Sequence, residues 1–218
     1  MLFLNVGWFE RMDFSEAMAA AARLAASAVD ETMGKHRASH VVDEDDITPY
    51  LLATLQIRLT GQIGGLTWAA SVVRHRRGSA AEEARTGADM VISVNLVTPT
   101  EKYSKGVLVQ AKRVGPDGIL AATQLSELNI QCKKMLAISP ASFVFDYSPH
   151  GMRVGSASRI AGTSNRRLYS LCGWTPYRFF LELFRCPIGD PELRSALVAD
   201  LPLPRLEITA NGMLDVEE

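Results

Sequence analysis

The sequence predicts a single domain of mixed α/β class, and three observations lead to this prediction. An alanine-rich stretch at 14–37 contains no proline and predicts a helix within an N-terminal segment, 1–40. Between 41 and 155, leucines at helical spacing alternate with short β-branched runs in the order α-β-β-β-α-β. The remainder, 156–218, has proline and glycine turns around one aromatic helix, and we expect it to form a helical and loop cap on the same core.

The elements of this core can be assigned one after another. The first helix lies in ITPYLLATLQIRL, where Pro49 behind Thr48 suits the first helical position, and GQIGG ends it. The strands LTWAASVV, DMVISVNLV and GVLVQAKR follow, and TPTEKYSK forms the turn between the last two. TQLSELNIQCKKMLAI predicts the second helix and ASFVFDYS the fourth strand, with which HGMRVGSA is expected to pair. PYRFFLELF predicts the helix of the cap.

The composition argues against several classes of protein. With 47% hydrophobic and 22% charged residues the chain is typical of a globular protein, and a net charge of −1 gives no global attraction to nucleic acid or membrane. No window approaches the ~20 apolar residues of a membrane span, and the N-terminus lacks the basic region of a signal peptide. Cys132, Cys172 and Cys186 are too widely spaced for a zinc motif. We therefore expect a cytoplasmic protein with reduced thiols.

Three polar residues interrupt the apolar strands and point to a site. Asp89 opens the second strand of the core, and Gln110 and Lys112 lie two residues apart in the third, which places them on the same face. A buried charge is costly unless it is paired or bound to a metal. Carboxylate and amide oxygens suit a hard divalent cation, and a lysine beside such a cation can stabilise charge on a phosphate. The pattern predicts a metal site at a sheet edge, and a strand-capping acid and a solvent-facing lysine are the alternatives.

With these residues in this element order, the segment 41–150 resembles the PD-(D/E)xK nuclease superfamily. It is most similar to the Mrr-like branch, in which glutamine replaces the usual acid of the third strand and VQAKR is a frequent sequence. DEDDITPYLL, EEARTGAD and LVQAKR also resemble, in this order, a group of small bacterial proteins assigned to that superfamily. Ala88 precedes Asp89, so the proline of the motif is absent. The resemblance implies a restriction-endonuclease-like αβββαβ core.

The resemblance also implies roles for individual residues. Asp89 would be the principal metal-binding acid, Gln110 an amide-oxygen ligand and Lys112 the catalytic lysine. Members of the superfamily often take a further acid from the first helix or its approach. Glu44 is the first choice for this acid and Glu83 the second, with Glu82 behind it. Gln124 and Gln131 on the following helix are candidates for supporting the site or contacting the substrate.

The implied function is phosphodiester hydrolysis by an endonuclease that uses Mg²⁺ or Mn²⁺, with DNA favoured over RNA. Basic residues outside the site would bind phosphates, and the candidates are Arg74, Arg76, Arg77, Lys133 and Lys134. A role in bacterial restriction or antiviral defence, with a partner protein, follows by analogy alone. Two alternatives remain open: a catalytically weak nuclease-like fold that serves as a binding or interaction module, and an RNA-binding protein without metal. Helix 14–37 and PYRFFLELF also offer surfaces for a homodimer.

Overall fold

The computed structural model describes residues 14–73, 84–98, 100–194 and 203–212, and across these residues one seven-stranded mixed sheet carries helices on both faces. The predicted mixed α/β class is confirmed. In spatial order the strands run β1-β2-β7-β3-β4-β5-β6. Their ranges are β1 (Gly61–Ile63), β2 (Leu66–Val73), β3 (Met90–Val97), β4 (Lys102–Lys112), β5 (Ser142–Ser148), β6 (Gly151–Ser156) and β7 (Arg205–Asn211).

The helices divide between the two faces of the sheet. One face carries the longer N-terminal helices and the aromatic helix, α1 (Phe14–Arg37), α2 (Glu44–Arg58) and α6 (Pro176–Phe184). The other carries α3 (Ala122–Ile138) and the short helices α4 (Ala157–Ile160) and α5 (Leu168–Leu171). A 3₁₀ turn, Pro191–Leu193, lies against β4. Two hydrophobic clusters result, one on each face of the sheet.

The cluster beneath α1, α2 and α6 contains a group of packed aromatic side chains. Phe179 packs edge-on against both Phe143 and Phe145 of β5, with ring centroids 5.2 Å and 5.1 Å apart. Phe184 meets Trp68 of β2 at 5.1 Å. Edge-to-face pairs of this kind are favourable beyond the apolar area that they bury. They fix α6 across the middle of the sheet.

The helices that suggested a dimer interface are buried within one chain. The small side chains of α1, among them Ala21, Ala22 and Ala25, are fully buried, as are Phe180 and Phe184 of α6. The two helices pack against each other and against the sheet. The small residues of α1 therefore allow close helix packing inside the chain, and a homodimer through this helix stays a prediction.

The second helix of the chain begins earlier than the sequence suggested. Pro49 lies inside α2 rather than at its first position, because the helix starts at Glu44 behind the N-cap residue Asp43. The backbone N–H of Ile47 donates to the Asp43 carbonyl over 2.9 Å and forms the first turn. Thr48 is no cap: its hydroxyl hydrogen-bonds the Tyr147 hydroxyl at 3.2 Å. The prediction from Pro49 was wrong because the helix begins at Glu44 and places the proline in its second turn.

Two segments predicted as turns are strands. GQIGG contributes β1, which forms a hairpin with β2, and β4 begins at Lys102 within the expected turn TPTEKYSK. The segment predicted as a helical and loop cap also supplies β7, which lies between β2 and β3. Leu206, Ile208 and Ala210 of β7 are buried and alternate with less buried residues, as a strand requires. No helix in the described ranges is long and apolar enough to cross a membrane.

Candidate functional site

Asp89 is brought to the edge of β3 by a close approach of two backbones. Gly87 has φ +74°, and a Cβ atom at this position would lie 2.4 Å from the carbonyl oxygen of Gln131 on α3. Only glycine adopts this conformation at no steric cost and leaves room for the helix. The chain then enters the sheet, where the Asp89 N–H donates to the Val109 carbonyl at 2.9 Å. Asp89 is thereby set opposite the middle of the VQAKR motif.

The Asp89 carboxylate accepts hydrogen bonds directly from that motif. Its Oδ2 accepts the Ala111 backbone N–H at 2.7 Å and the Gln110 side-chain N–H at 2.7 Å. The Gln110 amide nitrogen also donates to the Ala111 carbonyl oxygen at 3.1 Å. The amide nitrogen therefore lies between two oxygens, and the carboxylate continues the ladder of the sheet beyond the first residue of β3. Asp89 and Gln110 converge as predicted.

Lys112 shares the face of Gln110. Strand periodicity places Leu108, Gln110 and Lys112 on the side that carries α3, whereas Val109 and Ala111 pack in the cluster beneath α1. Lys112 is partly buried, and its ammonium lies close enough to the Cys132 thiol of α3 to oppose the rise that burial causes in the pKa of that thiol. Asp89, Gln110 and Lys112 thus lie on one face at one end of β3 and β4.

One buried acid at this end of the sheet was missed by sequence reasoning. Asp146 of β5 is 1% exposed and is the register partner of Lys112 in the parallel β4–β5 pair. Its Oδ1 accepts the backbone N–H groups of Val114 and Gly115, both at 2.9 Å. Burial is the main cause that raises the pKa of the Asp146 carboxyl. An acid inside the apolar strand SFVFDYS is the signal that could have identified it.

The donor set at Asp89 fits part of a site for a hard cation. Gln110 is fully buried, and its Oε1 has no hydrogen-bond partner among the described residues. Rotation of the amide would exchange its nitrogen for this oxygen and turn an amide oxygen toward Asp89 and the Ala111 carbonyl. Carboxylate, amide and carbonyl oxygens are ligands that Mg²⁺ and Mn²⁺ accept. The described ranges hold no group of three His, Cys, Asp or Glu side chains suited to a metal, so a further ligand would have to come from elsewhere.

The remaining predicted site residues fall into two groups. Glu44 begins α2, but its side chain lies outside what the structure describes, and Glu82, Glu83, Arg74, Arg76 and Arg77 lie outside the described residues altogether. The start of α2 is near the motif, since Arg113 donates to the Val42 carbonyl at 2.6 Å and lies 3.8 Å from Asp43. The backbone of Glu44 is therefore close to the end of β4.

The residues predicted on α3 have separate roles. Lys133 and Lys134 are exposed, and Lys134 donates to the Ala84 carbonyl, five residues before Asp89. Gln124 does not support the site, because its Oε1 accepts the Ala121 N–H at 2.8 Å and caps the start of α3. The backbone of Gln131 packs against Gly87, next to the site.

Comparison with known proteins identified no relative of this chain. No protein-family model, no curated protein and no solved structure matches the chain.

Proposed function

We propose that this chain is a metal-dependent nuclease that hydrolyses phosphodiester bonds in nucleic acid, with DNA as the favoured substrate. The observation that supports this proposal best is the contact of Asp89 with Gln110 and Ala111 at the sheet edge, with Lys112 on the same face. The resemblance of the sequence to PD-(D/E)xK nucleases gives these residues matching roles. A place in bacterial defence, with a partner protein, belongs to the same proposal.

In this proposal each residue has a distinct role. Asp89, Gln110 Oε1 and the Ala111 carbonyl would hold Mg²⁺ or Mn²⁺, with Glu44 or Glu83 as a further ligand. When bound there, the cation would stabilise negative charge on a phosphate oxygen and lower the pKa of a bound water molecule. Lys112 donates hydrogen bonds to the phosphate and offsets the negative charge that develops as water attacks phosphorus. The exposed Lys133 and Lys134 would contact the backbone of the nucleic acid, as would Arg74, Arg76 and Arg77.

One observation favours a second function, that of a binding or interaction module without efficient catalysis. The Gln110 amide nitrogen bridges Asp89 and the Ala111 carbonyl, and Asp89 caps the strand. Binding of a cation must break these hydrogen bonds, which lowers the affinity. If that cost exceeds the gain from binding, the fold keeps its structure and binds substrate without turnover.

A cleavage assay separates these functions. The protein is incubated with plasmid, linear duplex, single-stranded DNA and RNA in Mg²⁺, Mn²⁺ or EDTA. The same incubations are made with the Lys112→Ala variant. The nuclease proposal expects cleavage that needs metal and is lost in the variant, with DNA cut faster than RNA. Binding without cleavage under every condition would support the interaction module. Binding of RNA alone that is unchanged in EDTA would instead support the metal-independent RNA-binding protein.

A further inference from the structure

Two acids flank Lys112 on neighbouring strands. Asp89 stands before β3 on one side of β4, and Asp146 lies in β5 on the other side, at the register position of Lys112. Neighbouring strands are about 4.8 Å apart, and paired residues of parallel strands point to the same face. The Lys112 side chain has a flexible four-carbon stem, so its ammonium has acids within reach on both sides.

The Asp146 carboxylate is half satisfied. Oδ1 is held by the N–H groups of Val114 and Gly115, which fixes the chain just after the strand that carries Lys112. Oδ2 is buried and has no hydrogen-bond partner among the described residues. A buried acceptor without a donor is unfavourable and calls for an explanation in a native structure. Burial also raises the pKa of this carboxyl, and the two backbone hydrogen bonds oppose that rise.

Two basic residues are neighbours of Asp146 in the sheet. Arg153 of β6 is its partner on the far side, but the Arg153 guanidinium lies over the Tyr169 ring at 5.4 Å and donates to the Tyr169 hydroxyl at 3.3 Å. Lys112 is the partner on the near side and belongs to the candidate site. Of these two, the Lys112 ammonium is the basic group that belongs to the candidate site and lies on the strand next to Asp146.

We propose that Asp146 is a positioning residue, whose Oδ2 accepts a hydrogen bond from the Lys112 ammonium when a divalent cation occupies the Asp89 side of the site. This inference assumes the proposed function. A cation bound by Asp89 repels the nearby ammonium, and the repulsion favours the acceptor on the opposite strand. Asp146 thus directs the Lys112 ammonium along the face of the sheet, beside the bound cation rather than in its place.

The test follows the Lys112 side chain itself by NMR. Lysines are dimethylated with ¹³C-formaldehyde, which keeps their charge and one N–H, and the Lys112 signal is assigned with Lys112→Arg. Addition of Mg²⁺ is expected to shift this signal in the otherwise unaltered protein and to produce an NOE to the β-protons of Asp146. In Asp146→Asn most of the shift should be lost, whereas Asp117→Asn, an exposed acid in the turn after β4, should retain it.

The outcomes separate this inference from the proposed function. If Mg²⁺ moves the amide signals of Gln110 and Ala111 while the Lys112 signal behaves alike with and without Asp146 and no NOE appears, the inference is overturned and the metal site stands. If Mg²⁺ moves none of these signals, both fall. The NOE is measured without the Asp146 substitution, so the inference remains testable even if Asp146→Asn does not fold.

Discussion

Replacement of Gln110 by glutamate distinguishes a metal site from a purely structural amide. The side chain is fully buried, and its nitrogen donates to Asp89 Oδ2 at 2.7 Å and to the Ala111 carbonyl at 3.1 Å. In Gln110→Glu a carboxylate faces a carboxylate and a carbonyl, so both hydrogen bonds are lost and like charges approach each other. Without metal, we expect the variant to be less stable than the original protein.

The magnitude follows from the two hydrogen bonds. A bond to a charged acceptor contributes about 1.5–3 kcal/mol and a neutral one about 1 kcal/mol, so the free energy of unfolding should fall by about 2–4 kcal/mol. For a protein of this size that loss lowers the melting temperature by roughly 5–15 °C. Glutamate adds a carboxylate ligand, so Mg²⁺ at about a hundred times its dissociation constant should return about 2.7 kcal/mol.

The assay is urea and thermal unfolding followed by circular dichroism, with Mg²⁺ or EDTA. Gln124→Glu is the matched control, because Gln124 is exposed and caps α3 through its side-chain oxygen, a position where glutamate is equally suitable. This control should be as stable as the original protein in both conditions. A loss in Gln110→Glu that Mg²⁺ does not reverse would refute the metal-site reasoning and favour a structural role for Gln110.

Three further predictions concern other residues. Lys112→Ala should abolish cleavage while changing the free energy of unfolding by less than about 1 kcal/mol, as activity assays and urea unfolding will show. Gly87→Ala should lower the free energy of unfolding by at least about 1–2 kcal/mol, because φ is +74° and the new Cβ would meet α3. It should also reduce activity by displacing Asp89, and an unchanged free energy of unfolding would contradict this prediction. Burial lowers the pKa of Lys105 to about 8, so the folded state binds this proton more weakly than the unfolded chain. Stability should therefore rise with pH from about 8 to 10 relative to Lys105→Met, and a parallel pH dependence in both proteins would refute the assignment.

The convergence of Asp89 and Gln110 could be predicted because it depends on short-range rules. An acid at the start of one strand and a QxK triplet at the end of the next are brought to the same edge when the two strands form an antiparallel hairpin, and the period of two adds Lys112 to the same face. The direction of the Gln110 amide was not predictable. It depends on which oxygens surround a buried side chain, and the sequence contains no signal for that.

Features that depend on long-range pairing were missed. Asp146 gains its importance from the parallel register of β5 with β4, which is set across the whole of α3. Strand β7 joins the sheet between β2 and β3, although more than a hundred residues separate it from β3 along the chain. Its alternating residues, from Leu206 to Ala210, were visible, but no local rule states which strands it separates. The early start of α2 was missed because an acidic loop and an acidic first turn have the same composition.

The most direct test of the metal-dependent nuclease is a crystal structure of the protein grown with Mn²⁺, using anomalous scattering to locate the ion. We predict an anomalous peak in contact with the Asp89 carboxylate and the Ala111 carbonyl, with the Gln110 amide rotated so that Oε1 faces the ion. The peak should be absent in Asp89→Asn. An electron density map without a peak at this position at saturating Mn²⁺, with the Gln110 nitrogen still between Asp89 and Ala111, would contradict the account.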